Sequence, residues 1–600
     1  MKSVLLKYTP FSILLICSLY LVYQNSNIEI PIDVGDGMQH YYLAAYAFEN
    51  PLLLLDHWGK PIFTLLMSPF AQFGINAVIF ANILIFILTS LVGLSLFKKA
   101  GVHPFLWTLL PVTLLYSTDY VQNILSGLSE VLAGFLVVQA TYFLYQKKWI
   151  AMAIVISMLP FARSEGQLMV ILGALVLLYN KQYKYIPFLA SVWLIYAIIG
   201  FFALGDFWWY FSQDPYPSNS IYGSGTWSHF WDLKEQYMGV FGLIILWFGL
   251  LTLAWLIIKK KSNSLRWDML FFTFGTFFGI VIVHTYLWAN GIKGSLGLTR
   301  VATIGLPGLI VAIIYILNEV KYKYINLKLI VAFAFCFLAF QLRDSIYTLP
   351  EENPLSKSII EAGKYIKANK PENSRVYYYH PLISFSVGIN PYNTEDSIYV
   401  RNTFFENKER LLSLDNGDLV VRESHFGPKE MGLSLKLLEE QEDFVLVQEF
   451  IPESSGSSYH SEPWSVSIYQ RIPIEDQIKM NPYSVKTIIS TDTSIFLNEV
   501  DEYIGILGED LTDDYNQLRT LIDVEKDGGI LVCDINEGEK WMGEHLRKAK
   551  NREIILPVKK NDKIKLYFWN PDKITNTVKI KNLEYYKSNF HPITKKHYAH

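Results

Sequence analysis

The chain has 600 residues, of which 51% are hydrophobic and 18% charged, and its formal net charge is -3. The small net charge and the scattered positions of lysine and arginine leave no basic patch, which excludes nucleic acid as a partner. Three cysteines are too few for a disulfide framework. Apolar runs fill residues 1–342, so we predict a polytopic α-helical membrane domain followed by soluble domains.

A membrane-spanning helix needs about 20 apolar residues, and this criterion predicts about eleven transmembrane helices. The first run lacks the small-residue cleavage pattern of a signal peptide, so we interpret it as a retained helix. The predicted spans lie near residues 8–24, 76–97, 104–117, 126–145, 149–161, 167–179, 185–204, 237–258, 269–288, 299–317 and 327–342.

Lysine placement predicts the orientation, because short cytoplasmic loops are enriched in lysine and arginine. Alternate connections carry lysines, for example Lys98 with Lys99 and Lys147 with Lys148, and the connections between them are nearly free of lysine. This alternation predicts a cytoplasmic amino terminus and an exterior carboxyl terminus.

The first exterior loop, residues 25–75, is the richest in polar groups. It contains Asp33, Asp36, His57 and Lys60. Its stretch 38–55 has the composition of a helix lying in the membrane interface. Asp36 stands between two glycines where that helix begins, and two interpretations stay open: a helix-capping aspartate, or a general base whose proton affinity is raised by partial desolvation.

Two further exterior sites carry charge. Arg163 and Glu165 lie at the exterior end of two short spans. Two interpretations stay open: an ion pair that orients the loop, or a part of a functional site. The glycine-rich loop 289–298 contains Lys293 and leads to Arg300, which suits either phosphate binding or an arginine that reaches the lipid headgroups. Asp119 and Glu130 flank another exterior loop and are the weakest candidates.

A divalent metal is a further alternative, because Asp36 and His40 are one helical turn apart. Metal sites usually have a denser ligand set, so we assign no metal residues and no cofactor, and we keep a divalent metal as an option.

These residues resemble the polytopic glycosyltransferases of the C superfamily (GT-C), which include protein mannosyltransferases and aminoarabinose transferases. The similarity covers residues 36–66: Asp36-Gly37 replaces an Asp-Glu pair, and residues 56–61 replace a later His-Pro-Pro and Gly-Lys element. The element at residues 163–166 and the loop leading to Arg300 are similar to features of bacterial members.

The resemblance implies a membrane glycosyltransferase, of hexosyltransferase type, that moves a sugar from a polyprenyl-phosphate donor to a glycan, lipid or protein acceptor, with inversion. Asp36 would be the catalytic base, with Asp33 beside it. The residues implied to bind substrate or phosphate are Arg300, Lys293, Arg163, Glu165, His57 and Lys60. A cell-envelope enzyme of the bacterial inner membrane, with periplasmic carboxyl-terminal domains, is the implied setting.

The remaining sequence predicts two exterior domains. Strands that alternate with helices, near residues 354–369 and 433–440, favour an α/β domain between residues 343 and 475. Short strands at even spacing in 483–600 favour a β-sandwich of jelly-roll type, which serves as a sugar-binding module or a spacer. Two rival functions stay open: a transporter, which would carry charge at mid-membrane and paired broken helices, and a non-catalytic assembly protein of the cell envelope.

Overall fold

The computed structural model describes residues 2–319, 354–399, 413–452, 464–472 and 484–587, apart from positions 429, 435–436, 439–442, 491, 513–514, 516 and 539. The chain forms two compact units, Met1–Glu351 and Glu352–His600. The span predicted at 327–342 and both predicted domain boundaries, near 342 and at 475–483, lie outside the described residues, as does half of the helix predicted at 433–440.

The first unit is helical. Its helices are α1 (Lys2–Ser26), α2 (Asp36–Ala45), α3 (Pro61–Ala71), α4 (Ile75–Lys99), α5 (Pro104–Trp107), α6 (Leu109–Leu115), α7 (Thr118–Leu125), α8 (Glu130–Tyr145), α9 (Trp149–Ala162), α10 (Gly166–Tyr179), α11 (Ser191–Leu204), α12 (Trp209–Ser212), α13 (His229–Asp232), α14 (Lys234–Ile258), α15 (Trp267–Asn290) and α16 (Leu306–Asn318). Short 3₁₀ segments occupy Pro51–Leu55, Tyr183–Ala190, Ser262–Ser264 and Thr299–Ile304.

Within the described part of the chain, four helical segments are long and apolar enough to cross a membrane, which makes this an integral membrane protein. They are Ile75–Lys99, Tyr183–Leu204, Lys234–Ile258 and Trp267–Asn290. Helices α7 and α8 meet at 113° and add a fifth if they form one broken span. The predicted count of about eleven is not confirmed, because several predicted spans are apolar helices of only 10–17 residues.

The interfacial helix predicted at 38–55 is wrong in its extent. Helix α2 ends at Ala45, and a separate 3₁₀ segment begins at Pro51. Asn50 has φ -126° and ψ 88°, because a proline disfavours helical backbone at the preceding residue. The segment 25–75, predicted as the first exterior loop, therefore contains α2, a 3₁₀ turn and the apolar helix α3.

The break between α7 and α8 shapes the centre of the first unit. Gly127 adopts φ +67°, a left-handed conformation that lets the chain reverse and start α8 at Glu130. The carbonyl of Ser126 lies so close to Gly37 that an added Cβ would come within 2.4 Å of its oxygen. This contact explains why position 37 carries no acidic side chain, unlike the Asp-Glu pair of the family pattern.

The second unit begins with helix α17 (Pro354–Asn369) and a five-stranded mixed sheet of order β2-β1-β3-β5-β4. Strand β1 is parallel to β2 and β3, whereas β5 is antiparallel to β3 and β4. Helix α18 (Pro381–Val387) follows β1. The strands are β1 (Val376–Tyr378), β2 (Ser397–Tyr399), β3 (Leu419–Glu423), β4 (Phe444–Phe450) and β5 (Val466–Arg471).

Two antiparallel sheets follow, of order β11-β10-β13-β8 and β12-β9-β14-β6, with β7 also paired to β14. Inward side chains of both sheets, such as Phe568 and Ile580, share one core. This strand order is that of a jelly-roll sandwich. The strands are β6 (Ser484–Ile489), β7 (Thr493–Leu497), β8 (Tyr503–Asp510), β9 (Gln517–Val524), β10 (Ile530–Ile535), β11 (Lys540–His545), β12 (Ala549–Pro557), β13 (Lys563–Trp569) and β14 (Asn576–Lys587).

Candidate functional site

Asp33, Asp36 and Arg300 form direct contacts, although 264 or more residues separate the arginine from the aspartates. The two terminal nitrogens of Arg300 donate separately to Asp33 Oδ2 and Asp36 Oδ2. Asp33 Oδ1 accepts from the backbone N–H groups of Asp36, at 2.8 Å, and Gly35, at 3.0 Å. Asp33 is therefore the residue that caps α2, and the carboxylate of Asp36 is not used for capping.

Asp36 differs from its neighbours in exposure and proton affinity. Its side chain is 38% exposed, compared with 25% for Asp33 and 16% for Arg300. Desolvation raises the pKa of Asp36 above its ordinary value, and repulsion from Asp33 and Glu130 adds to the rise, whereas Arg300 opposes it. An accessible carboxylate with raised proton affinity can accept a proton from a bound hydroxyl group.

Glu130 is the fully buried centre of this site. Its Oε1 lies 3.4 Å from Arg300 Nε and 3.3 Å from a terminal nitrogen of Arg163, and its side chain is 0% exposed. Its place at the first residue of α8 puts a negative charge at a helix N-terminus, where backbone N–H groups favour it. Glu130 was among the weakest candidates predicted from the sequence, although an acidic residue at the start of an apolar helix was the signal that could have identified it.

Arg163 and Glu165 form the other side of the site. Arg163 donates to both carboxylate oxygens of Glu165, at 2.9 and 3.1 Å, and His284 Nε2 lies 3.3 Å from the same carboxylate. Burial raises the pKa of Glu165, but Arg163 and His284 outweigh it and hold the pKa well below the usual range. We call Asp33, Asp36, Glu130, Arg163, Glu165 and Arg300 the charge cluster.

Lys60 lies beside this cluster, because it contacts Ser164, the residue between Arg163 and Glu165. Its ammonium donates to Tyr216 Oη at 2.7 Å, to Ser164 Oγ at 3.0 Å and to the His57 carbonyl at 3.4 Å. Lys60 is only 2% exposed, and no carboxylate of a described residue forms an ion pair with it. Its backbone has φ +63°, an uncommon conformation for a residue with a side chain. Lys60 is thus a buried cation whose charge is not neutralised by an adjacent acid.

Lys293 and His57, which the family resemblance implied as substrate- or phosphate-binding residues with Arg300, contact other groups. Lys293 is half-exposed and pairs with Asp214 at 2.9 Å, because its loop pairs with the segment before it through a bridge between Asn219 and Ile292. His57 stacks on Tyr210, with ring centroids 4.3 Å apart. Burial, and then the charge of Lys60, lower the pKa of His57 to about 4, so its ring is neutral near pH 7 and supplies no cation.

In the described part of the chain, no group of three or more histidine, cysteine, aspartate or glutamate side chains is placed to hold a metal ion. The His40 ring stacks on Trp58, with centroids 4.8 Å apart, and lies edge-on to Phe63. Asp36, one turn away, pairs with Arg300. Asp36 and His40 therefore have separate partners.

The fold and the charge cluster define a polytopic membrane protein with a built, charged site beside its first loop. No protein-family model matches the sequence, and no curated protein matches it. Solved structures of similar fold include ArnT from Cupriavidus metallidurans in the apo state, with 9% identity, a TM-score of 0.49, and coverage of 76% of this chain and 97% of ArnT.

The same ArnT bound to undecaprenyl phosphate is 10% identical, with a TM-score of 0.45 and coverage of 77% of this chain and 98% of ArnT. The arabinofuranosyltransferase AftD from Mycobacteria is 10% identical, with a TM-score of 0.41 and coverage of 97% of this chain and 59% of AftD. At these identities and TM-scores the likeness carries no argument about function, so the chemistry has to be argued from the charge cluster.

Proposed function

We propose that this protein is a membrane glycosyltransferase that moves a sugar from a polyprenyl-phosphate donor to an acceptor hydroxyl on the non-cytoplasmic face. The observation that carries the proposal is the exposure of Asp36. Among the four carboxylates of the charge cluster it is the most accessible, at 38%, whereas Glu130 is fully buried and Glu165 is 12% exposed.

Asp36 is the proposed general base. Its carboxylate takes the proton of the acceptor hydroxyl while the acceptor oxygen attacks the anomeric carbon of the donor sugar. The bond between that carbon and the phosphate oxygen breaks, and its electron pair leaves with the lipid phosphate. A single displacement of this kind inverts the anomeric centre. Arg300 positions Asp36, because its guanidinium holds Asp33 and Asp36 at the same time.

Lys60 is the proposed partner of the leaving phosphate. Phosphate binding to Arg300 would compete with the carboxylates of Asp33, Asp36 and Glu130. Among the described residues Lys60 has neutral oxygen partners alone, so a phosphate would supply a negative charge for its buried ammonium. Ser164 joins the two parts of the site, because its hydroxyl accepts from Lys60 and its chain neighbours are Arg163 and Glu165.

The sugar is left open in this proposal. The sequence resemblance included mannosyltransferases, whereas the similar solved structures are arabinosyltransferases and an aminoarabinose transferase. The proposal therefore specifies the lipid phosphate and the proton transfer, with a glycan, lipid or protein acceptor.

The test uses the full chain in proteoliposomes, with a panel of undecaprenyl-phosphate-linked sugars and membrane extract as the source of acceptor. We expect Asp36→Asn to lower sugar transfer by about 10²–10⁴-fold, the usual contribution of a general base. Binding of undecaprenyl phosphate should persist. The matched control is Asp232→Asn, which removes an exposed aspartate whose partner is the Ser228 hydroxyl.

Full transfer activity in Asp36→Asn would overturn the role of Asp36. Lack of transfer by the wild-type chain from every donor of the panel would overturn the enzyme proposal and favour an assembly protein. Donor-independent movement of a solute across the bilayer would favour the transporter.

A further inference from the structure

The four-stranded sheet of the jelly roll carries an aromatic surface on its outer face. Side chains alternate along strands, and Leu566 and Phe568 of β13 point into the shared core. Tyr567 and Trp569 therefore point outward, together with Tyr503 of β8 and Trp541 of β11. We call Tyr503, Trp541, Tyr567 and Trp569 the aromatic face.

The rings of this face form a continuous array. Tyr503 lies opposite Trp569 in the strand register, and their rings are parallel within 4°, with centroids 6.4 Å apart. Trp541 meets Trp569 edge-on at 6.2 Å, and Tyr503 meets Tyr567 at 5.9 Å. Tyr503 is 59% exposed and Trp541 is 42% exposed. Folding alone does not require large rings at such exposed positions, so the array suits contact with a ligand.

Glycines keep the space beside the rings open. A Cβ added at Gly505 or Gly508 of β8 would meet no atom within 4 Å. Gly505 lies opposite Tyr567 in the register. The result is a shallow surface beside flat rings, whose negative π-faces attract the polarised C–H groups of a sugar ring.

A polar cavity adjoins the aromatic face. Its volume is about 390 Å³, within the range of small-molecule sites. Ile530, which lines it, is paired in the register with both Trp569 and His545, so the cavity lies at the end of the strands that carry the rings. Its other walls include Asp527, Arg547 and Asp572. Such groups bind hydroxyls, whereas an apolar ligand would desolvate them without replacing their hydrogen bonds.

We propose that the aromatic face and this cavity bind a glycan, with sugar rings stacked on Trp541, Trp569 and Tyr503 and hydroxyls bound in the cavity. The charges favour this occupant over a lipid surface or a polyanion. Asp534 and Lys565 lie opposite each other on the outer face, and the cavity has two aspartates with one arginine and one histidine. A surface without a net basic excess does not attract anionic lipids.

The test measures binding of the full chain in nanodiscs to mannan, dextran, galactan, arabinogalactan and chito-oligosaccharides by biolayer interferometry. We expect binding to at least one glycan. Trp541→Ala and Tyr503→Ala should each weaken it about tenfold, the loss typical of an aromatic residue central to an interface. Arg547→Ala should weaken it through the cavity. The matched control, Phe496→Ala, removes an exposed aromatic ring from β7, on the other sheet, and should leave binding unchanged.

Absence of binding to every glycan, or equal binding by Trp541→Ala, would overturn the inference. The inference would also be overturned if the wild type adhered to phosphatidylglycerol vesicles, or self-associated in mass photometry, and Trp541→Ala abolished that interaction instead of glycan binding. Thermal unfolding of each variant identifies any loss caused by misfolding. The inference is independent of the transfer reaction, and Asp36→Asn should bind glycans as the wild type does.

Discussion

The two sides of the charge cluster have similar residues and opposite properties. On one side Arg300 holds Asp33 and Asp36, and desolvation raises the pKa of Asp36. On the other side Arg163 holds Glu165, and the pKa of Glu165 is well below its usual range. Glu130 joins both arginines. Environments that separate the pKa values of neighbouring acids commonly separate their roles, so we assign proton transfer to Asp36 and structural support to Glu165.

The largest effect on stability is expected at the residue that the two sides share. Glu130→Gln removes the buried carboxylate that Arg163 and Arg300 share, although each arginine keeps another carboxylate partner. A contact to a charged group contributes about 1.5–3 kcal/mol, so the loss of both contacts should cost about 3 kcal/mol. We expect a much lower midpoint of thermal unfolding in detergent micelles. Glu319→Gln is the control, because Glu319 accepts one hydrogen bond from the exposed Ser264 hydroxyl. A midpoint unchanged by Glu130→Gln would show that the two sides are not coupled through this residue.

A smaller effect is expected on donor binding when the buried lysine loses its charge. A hydrogen bond to a charged group contributes about 1.5–3 kcal/mol, so Lys60→Met should weaken undecaprenyl phosphate binding about 10- to 100-fold. The unfolding midpoint should stay the same or rise, because the variant removes a buried ammonium that pairs with no acidic side chain in the described part of the chain. Lys293→Met is the matched control. Equal affinity in wild type and Lys60→Met would remove Lys60 from the proposed phosphate site.

The smallest effect is a dependence of stability on acid pH. Because the folded pKa of Glu165 is depressed, its ion pair is fully stabilising above the ordinary value of 4.5, and this stabilisation is lost as the pH falls through the folded pKa. The gap in unfolding midpoint between wild type and Glu165→Gln should therefore be widest near pH 7 and narrow below about pH 4.5. A gap that stays constant from pH 7 to pH 3 would contradict this assignment.

The sequence predicted the part of the site that follows from sidedness. Asp36 and Arg300 were both placed at the same predicted face of the membrane, and the structure brings them into contact. Lys293 was placed with Arg300 by nearness in sequence, but the structure pairs it with Asp214. Lys293 reaches Asp214 because its loop contains glycines in the left-handed conformation and forms a strand-like bridge between Asn219 and Ile292. Both features depend on contacts with a segment that is distant in sequence.

The position of Glu130 between two arginines and the capping role of Asp33 were not predicted, for a related reason. The 113° bend between α7 and α8 brings Glu130 between two arginines, and a hydropathy pattern contains no information about a bend inside an apolar run. Element type was easier to predict than length. The helix predicted from residue 354 to residue 369 is present as Pro354–Asn369, whereas prolines and 3₁₀ segments shortened several apolar runs in the membrane unit.

We propose that Asp36, Arg300 and Lys60 surround one donor site. A cryo-electron microscopy map of the chain in nanodiscs with undecaprenyl phosphate tests this arrangement directly. We expect phosphate density within hydrogen-bonding distance of Lys60 Nζ, in a cavity that also exposes the Asp36 carboxylate. Density for the phosphate elsewhere, with Lys60 still bound only to Ser164, Tyr216 and the His57 carbonyl, would contradict it.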